Sequence, residues 1–201
     1  MISNLNDLMT YTNGLAQEVP QIADEVAIKP AGVSGDRLAV LVRSVPLPPV
    51  YLRCIHDVGI FGVSLGYFAL WPAFSRNGDL VKSLLEANSG HASGAMVAHA
   101  ANLIIVARQE ANIICVGSMK GGQPDVVFLL DVMSSPAVRV TSIAPNFEVF
   151  LLLAGNLHAV SRSLQGLPSD AIFEMIKCCN YFCCTEEQSL FWQGMMAELV
   201  S

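Results

Sequence analysis

Five residues near position 64 match the nucleophile elbow of serine hydrolases. Residues 62–66 (GVSLG) have the G-x-S-x-G spacing in which a tight turn exposes a serine hydroxyl, here that of Ser64. Asp125 or Asp131, and then His158, follow in the chain order of the acid and base of such enzymes. An elbow leads into a helix, whereas the residues after this motif (YFALWP) are typical of a strand. We therefore predict no catalytic site, and a small serine hydrolase centred on Ser64 stays as an alternative.

A second group, Cys54, His56 and Asp57, contains the residue types of a thiol nucleophile and its base. The apolar spacing around these residues predicts a helix, and side chains two positions apart on a helix point to different sides. The three residues are therefore not expected to form one catalytic group.

A glycine-rich stretch at residues 117–122 (GSMKGG) has some likeness to a phosphate-binding loop. It lacks the spacing of that motif, and the residues that follow it predict a strand, so no helix N-terminus would face a phosphate. We interpret the stretch as a hairpin loop and expect no cofactor.

Cys178, Cys179, Cys183 and Cys184 form a cluster whose composition could indicate zinc. Structural zinc sites use two separated pairs of ligands on turns, whereas adjacent cysteines on one helix diverge, so no metal is predicted. The sequence does not open with a basic start and an apolar stretch, so we expect no secretory signal and a cytoplasmic location. Cysteines in that compartment stay reduced, and these are predicted to pack between the last two helices.

The charge pattern indicates neither a nucleic acid nor a membrane as partner. The net charge is −6 and the 11 lysines and arginines are scattered singly, whereas a nucleic-acid surface needs clustered basic charge. The longest uncharged run lies between Asp57 and Arg76, but three glycines and a proline interrupt it, as in buried strands joined by a turn. An acidic chain is better suited to a basic protein partner.

Hydrophobic spacing divides the chain into helical, strand-rich and again helical stretches. Asn4 can cap a first helix that Pro20 ends, and short helices are predicted around residues 38–45 and 51–55. The apolar, β-rich runs are residues 63–71, 102–108, 112–117, 125–132 and 137–143, with a short helix at 79–87. Segregated helices and strands predict the α+β class: a mostly antiparallel sheet packed by helices, with N-terminal and C-terminal helical segments. Without a visible linker, residues 1–201 are expected to form a single domain.

Three helices are predicted after the strands. The first follows Pro145 and should pack on the sheet through one apolar face, which contains Phe147, Phe150 and Leu151. The other two form a C-terminal helical pair over residues 165–201, of which residues 185–188 (TEEQ) are typical of a capping box. The buried stripe of the first helix in this pair is expected to be Ile172, Phe173 and Ile176.

Several short motifs occur in a characteristic order. They are Leu47-Pro48 before a helix with Tyr51 at its start, a strand ending in Leu70-Trp71-Pro72, the strand pair 104–108 and 112–116, and the closing helix Phe147-Glu148-Val149-Phe150-Leu151. In this order residues 36–158 resemble the SUKH superfamily, which unites bacterial toxin-immunity proteins with fungal regulators of cell-wall synthesis.

The resemblance implies a non-enzymatic protein-binding module, most simply an immunity protein that neutralises a toxin by direct binding. A regulatory scaffold without a toxin partner is a further alternative, and the sequence does not indicate an oligomeric state. Aromatic side chains rimmed by charge dominate such interfaces. The candidate partner-binding residues are Tyr67 and Trp71 on the aromatic strand, with Asp57, Asp125 and Asp131.

Overall fold

The computed structural model describes residues 1–72, 78–90, 94–132, 138–163 and 166–200. Within these ranges a 3-10 turn at Pro20–Ile22 accompanies helices α1 (Leu5–Glu18), α2 (Ala23–Val26), α3 (Gly35–Ser44), α4 (Pro49–Asp57), α5 (Leu80–Ala87), α6 (Ala95–Ala100), α7 (Phe147–Ser163), α8 (Pro168–Tyr181) and α9 (Glu186–Val200). Capping side chains mark the start of several of these helices. The Asn4 side chain accepts a hydrogen bond from the Asp7 N–H at the start of α1, as predicted, and Asp79 caps α5 through the Lys82 N–H.

The strands of the described residues form one antiparallel sheet in chain order, β1 to β6. Their bounds are β1 Ser64–Leu65, β2 Phe68–Ala69, β3 Leu103–Gln109, β4 Asn112–Gly117, β5 Val127–Asp131 and β6 Arg139–Ala144. Each strand pairs antiparallel with the next one in the chain; α5 and α6 lie between β2 and β3, whereas short connections join β1 to β2 and β3 to β4. The α+β class and the antiparallel strands predicted between residues 102 and 143 are therefore confirmed; residue 137, included in the last predicted run, lies outside the described residues.

Helices cover the two faces of the sheet unequally. Phe150 of α7 and Trp192 of α9 meet Phe68 in the main core, at ring-centroid distances of 5.4 and 5.5 Å. The opposite face carries a smaller cluster in which Ile105 and Cys115 are packed with small residues of α6. The alternation of side chains along each strand separates these two clusters. The prediction that α7 packs through its aromatic face is confirmed.

The aromatic segment at 63–71 differs from the single strand that the sequence predicted. It is a tight hairpin of two short strands, closed by a hydrogen bond from the Leu70 N–H to the Val63 carbonyl. Gly66 lies at the reversal with a φ of +58°, a conformation that glycine adopts without steric cost. Glycine therefore turns a segment whose apolar composition favours a longer strand.

Two further predictions about helices were wrong or incomplete. The buried stripe of α8 consists of Ala171, Met175, Cys178 and Cys179, whereas Phe173 is 57% exposed and Ile172 and Ile176 are only partly buried. The spacing of apolar residues along α8 is compatible with more than one buried face, and the packing of α9 decides which face is covered. The short helix α6 was not predicted, because its mainly small residues give no clear apolar period.

No helix in the described part of the chain is long and apolar enough to cross a membrane.

Candidate functional site

Ser64 and His158 lie near each other but do not form the hydrolase arrangement. Ser64 is on β1, and His158 of α7 approaches the hairpin so closely that a methyl group on Gly66 would lie 3.7 Å from its ring. The Nδ1 atom of His158 is 2.8 Å from the Tyr11 hydroxyl. Among the described residues no hydrogen bond joins the Ser64 hydroxyl to His158 or to a carboxylate, so nothing there activates the serine.

Cys54 and its neighbours separate as the helical spacing predicted. Cys54 is fully buried on α4, and desolvation raises the pKa of its thiol to about 12. His56 and Asp57 are exposed, with the imidazole Nδ1 3.0 Å from an Asp57 oxygen. A thiol with so high a pKa stays protonated near neutral pH and is a poor nucleophile.

The two aromatic residues predicted to bind a partner have different environments. Tyr67 lies at the tip of the β1–β2 hairpin and is 42% exposed, so its ring is accessible. Trp71 is 5% exposed and belongs to the main core, where its ring packs edge-on against Phe61. Of the two candidate contacts, Trp71 is corrected to a core residue, because the chain enters the interior after β2, whereas Tyr67 remains accessible.

The three predicted aspartates are not brought together. Asp125 Oδ1 accepts a hydrogen bond from the Val50 N–H in the first turn of α4, whereas Asp57 is the last residue of the same helix. Asp131 ends β5, at the other end of that strand from Asp125. Asp125 has a local structural role, because it satisfies a backbone donor at a helix start that Pro48 cannot cap.

Asp131 instead lies in a cleft of about 580 Å³ between the ends of the central strands and α9. We call this region the acidic cleft. Its lining residues are Gln109, Glu110, Asn112, Leu129, Asp131, Arg139, Thr141, Glu187, Leu190, Phe191, Met195 and Glu198. Four of these side chains are carboxylic acids, and Arg139 is the one basic side chain among the described residues that line it. The cleft therefore holds excess negative charge, as the whole chain does.

The acidic cleft also offers apolar surface and hydrogen-bond acceptors. Leu190 is 59% exposed and Phe191 is partly buried, and both belong to α9. The side-chain oxygens of Gln109 and Asn112 are buried without a hydrogen-bond partner in the described part of the chain. A buried acceptor that lacks a donor costs free energy, but these two oxygens lie beneath the surface, so the acceptors that the cleft presents to a ligand are its carboxylates.

Sheet register and the start of α9 hold the two sides of the cleft in place. Gln109 is paired with Asn112 across β3 and β4, and Asp131 is opposite Arg139 across β5 and β6. The predicted capping box is confirmed: the Thr185 N–H donates to the Gln188 side chain, and the Gln188 N–H donates to the Thr185 hydroxyl.

Two hydrogen bonds then hold α9 against β6. The Gln188 amide donates to the Ser142 hydroxyl at 2.9 Å, and the Trp192 indole N–H donates to the Ile143 carbonyl at 2.7 Å. Because Trp192 is buried, its indole N–H needs this partner, which fixes both the depth and the rotation of α9. The face of α9 with Leu190 and Phe191 consequently lies along the cleft.

Sequence reasoning identified Asp131 but missed the rest of the acidic cleft. Glu187, Leu190 and Glu198 recur at helical spacing on α9, which indicates one face but not what that face borders. The polar side chains Gln109 and Asn112 flank a short turn between two apolar strands. From the sequence, that position indicates only a connection between two strands.

No protein-family model, curated protein or solved structure matches the chain.

Proposed function

We propose that the protein is a non-enzymatic protein-binding module whose acidic cleft receives a basic segment of a partner. The supporting observation is that four carboxylic acids and apolar side chains of α9, of which Leu190 is exposed, line one concavity. Arginine and lysine side chains provide donors for the carboxylates, together with apolar stems that can pack on Leu190 and Phe191.

The two kinds of surface have different effects on binding. Carboxylates at the rim accelerate the encounter with a positively charged partner and make the rate depend on salt. Affinity comes mainly from apolar groups that lose water at the centre, for which Leu190 and Phe191 are the candidates. Tyr67 is the proposed aromatic contact beside the cleft, because the next residue, Phe68, is paired with Gln109.

The resemblance to the SUKH superfamily suggests what kind of partner this is. We propose that it is a toxin domain in the cytoplasm and that the protein neutralises it by covering its surface. This function requires a complementary surface and no reactive side chain. It would make the protein an immunity protein rather than a regulatory scaffold.

The test uses the product of the neighbouring reading frame as the candidate toxin. Co-expression should restore growth of cells that make this toxin, and calorimetry should show a direct complex. Asp131→Lys and Leu190→Asp should each weaken Kd at least about tenfold, or about 1.4 kcal/mol. The matched controls are Glu86→Lys on α5 and Leu167→Asp at the start of α8, both exposed and outside the cleft, which should bind as the original protein does.

Two results would contradict the proposal. Equal loss of affinity in the cleft variants and their controls would mean that only net charge or general apolarity matters. A folded complex that tolerates both cleft variants would place the interface elsewhere. A fluorophosphonate probe separates the hydrolase alternative, because covalent labelling that disappears in Ser64→Ala would show an activated serine.

A further inference from the structure

The end of α8 has a backbone geometry that brings two cysteines together. Cys183 adopts a left-handed conformation with a φ of +54°, and its N–H donates to the Asn180 carbonyl. The Cys184 N–H donates to the Cys179 carbonyl at 2.9 Å. These two hydrogen bonds define a Schellman motif, in which the second residue beyond the helix cap contacts the side chain five positions earlier. The chain reversal therefore packs the side chain of Cys184 against that of Cys179.

The two cysteines lie at the boundary between core and solvent. Cys179 is buried between α8 and α9, whereas Cys184 is partly exposed. The Cys184 thiol and the Ser189 hydroxyl of α9 are the hydrogen-bonding neighbours of the Cys179 side chain. These bonds stabilise the thiolate and lower the pKa of Cys179, while Cys184, which holds the shared proton, has a raised pKa.

We propose that Cys179 and Cys184 are a redox-active dithiol that a small hydroperoxide converts to a reversible intramolecular disulfide. The Cys179 thiolate attacks one peroxide oxygen and the O–O bond breaks, which gives a sulfenic acid on Cys179 and a hydroxide or alkoxide that takes a proton from solvent to become water or an alcohol. The Cys184 sulfur then attacks the sulfenic sulfur, the S–O bond breaks, and its thiol proton leaves with the hydroxide as water. Two thiols are oxidised, and one peroxide is reduced.

The surroundings of the other cysteines favour this pair as the site of oxidation. Cys54 and Cys115 are buried on different elements, and desolvation raises the pKa of each thiol. Burial likewise raises the pKa of Cys178, to about 11. Cys183 is exposed and its left-handed backbone is in the middle of the reversal, so it can form an adduct in solution but lacks the contact made by Cys184. Oxidation follows thiolate character, exposure and a resolving thiol within reach: hydrogen bonding favours the thiolate of Cys179, and the partly exposed Cys184 beside it supplies the other two.

A disulfide at this position would cross-link the reversal that leads from α8 into α9. The closed loop is short, so the stabilisation is modest: we expect Tm to rise by about 3–6 °C on oxidation and to return after reduction. The change should be absent from any variant that lacks one of the two cysteines.

The test treats the full chain with a slight excess of hydrogen peroxide and measures its intact mass. The expected product is a monomer that has lost two hydrogen atoms and regains them with dithiothreitol. Chymotrypsin can cut after Tyr181 or Phe182, between the two cysteines, so the oxidised protein should give a disulfide-linked pair of peptides that separates on reduction.

Serine variants identify the partners. Cys178→Ser and Cys183→Ser should still form the disulfide, whereas Cys184→Ser should stop at a sulfenic acid on Cys179 that dimedone traps. Cys179→Ser should form neither product; because this residue is buried, its circular dichroism must first match that of the original protein. Loss of the cross-link in Cys183→Ser, or oxidation that yields only dimers or a Cys183 adduct, would overturn the proposal.

Discussion

Replacement of the buried Asn156 by alanine should cost the fold more than almost any other change of a polar residue. Asn156 is 1% exposed on α7, and its side chain bonds to both backbone groups of Ile2. The Ile2 N–H donates to Oδ1 and the amide Nδ2 donates to the Ile2 carbonyl, each at 2.8 Å. Nδ2 also donates to the Leu152 carbonyl at 2.8 Å. The Asn156 amide thus gives Ile2, in the segment before α1, the pair of backbone hydrogen bonds that a neighbouring strand provides in a sheet.

The expected magnitude follows from the groups that lose a partner. Alanine leaves the N–H and the carbonyl of Ile2 unsatisfied beside the core, and a buried unsatisfied group costs about 1–3 kcal/mol. The Leu152 carbonyl still accepts a backbone hydrogen bond within α7, so losing its second bond to the side chain costs little free energy. Alanine regains about 0.5 kcal/mol because it favours a helix more than asparagine does. The net loss in the free energy of unfolding should be about 1.5–5.5 kcal/mol, or about 3–22 °C in Tm.

Urea unfolding followed by circular dichroism and by fluorescence of the buried Trp71 and Trp192 measures this loss. Hydrogen exchange should show that the Ile2 amide, protected in the original protein, exchanges freely in Asn156→Ala. The matched control is Asn13→Ala, an exposed position on α1, where the same change should be neutral or slightly stabilising. If both variants unfold at the same urea concentration, or if the Ile2 amide stays protected in Asn156→Ala, the reasoning is refuted.

Three other changes test individual contacts. Tyr51→Phe should leave the free energy of unfolding in urea unchanged or raise it by up to about 1 kcal/mol, because the buried hydroxyl has no hydrogen-bond partner in the described part of the chain. A loss of more than about 1 kcal/mol would show that the hydroxyl does have a partner. Asp125→Ala should lower stability by about 1 kcal/mol through loss of the bond to the Val50 N–H, without weakening partner binding in calorimetry. Burial holds the pKa of His158 below its usual 6.5, so the unfolded chain binds the proton first and stability should decline as pH falls from about 6.5 through the folded pKa. The decline should be shallower in His158→Gln and unchanged in the exposed control His56→Gln.

Local sequence determined the signals that start and separate the elements of this protein. The cap at Asn4, the capping box at residues 185–188 and the short turns between apolar strands each act over a few residues, so they can be read without the fold. The α+β class and the antiparallel order follow from the same local rules. The apolar composition of residues 63–71 predicted a single strand, which was wrong because Gly66 reverses the segment into a hairpin.

The candidate site depended on contacts between residues that are distant in the chain. Asp131, Glu187 and Leu190 meet because sheet register and the depth of Trp192 place the end of β5 beside one face of α9. The same packing buried Trp71, separated the three aspartates and selected which stripe of α8 is covered. Periodicity specifies that an element has an apolar face, but only the shape of its neighbours determines which groups lose water. The sequence by itself therefore determined the class of fold and an acidic character, and the tertiary structure decided where that charge is concentrated.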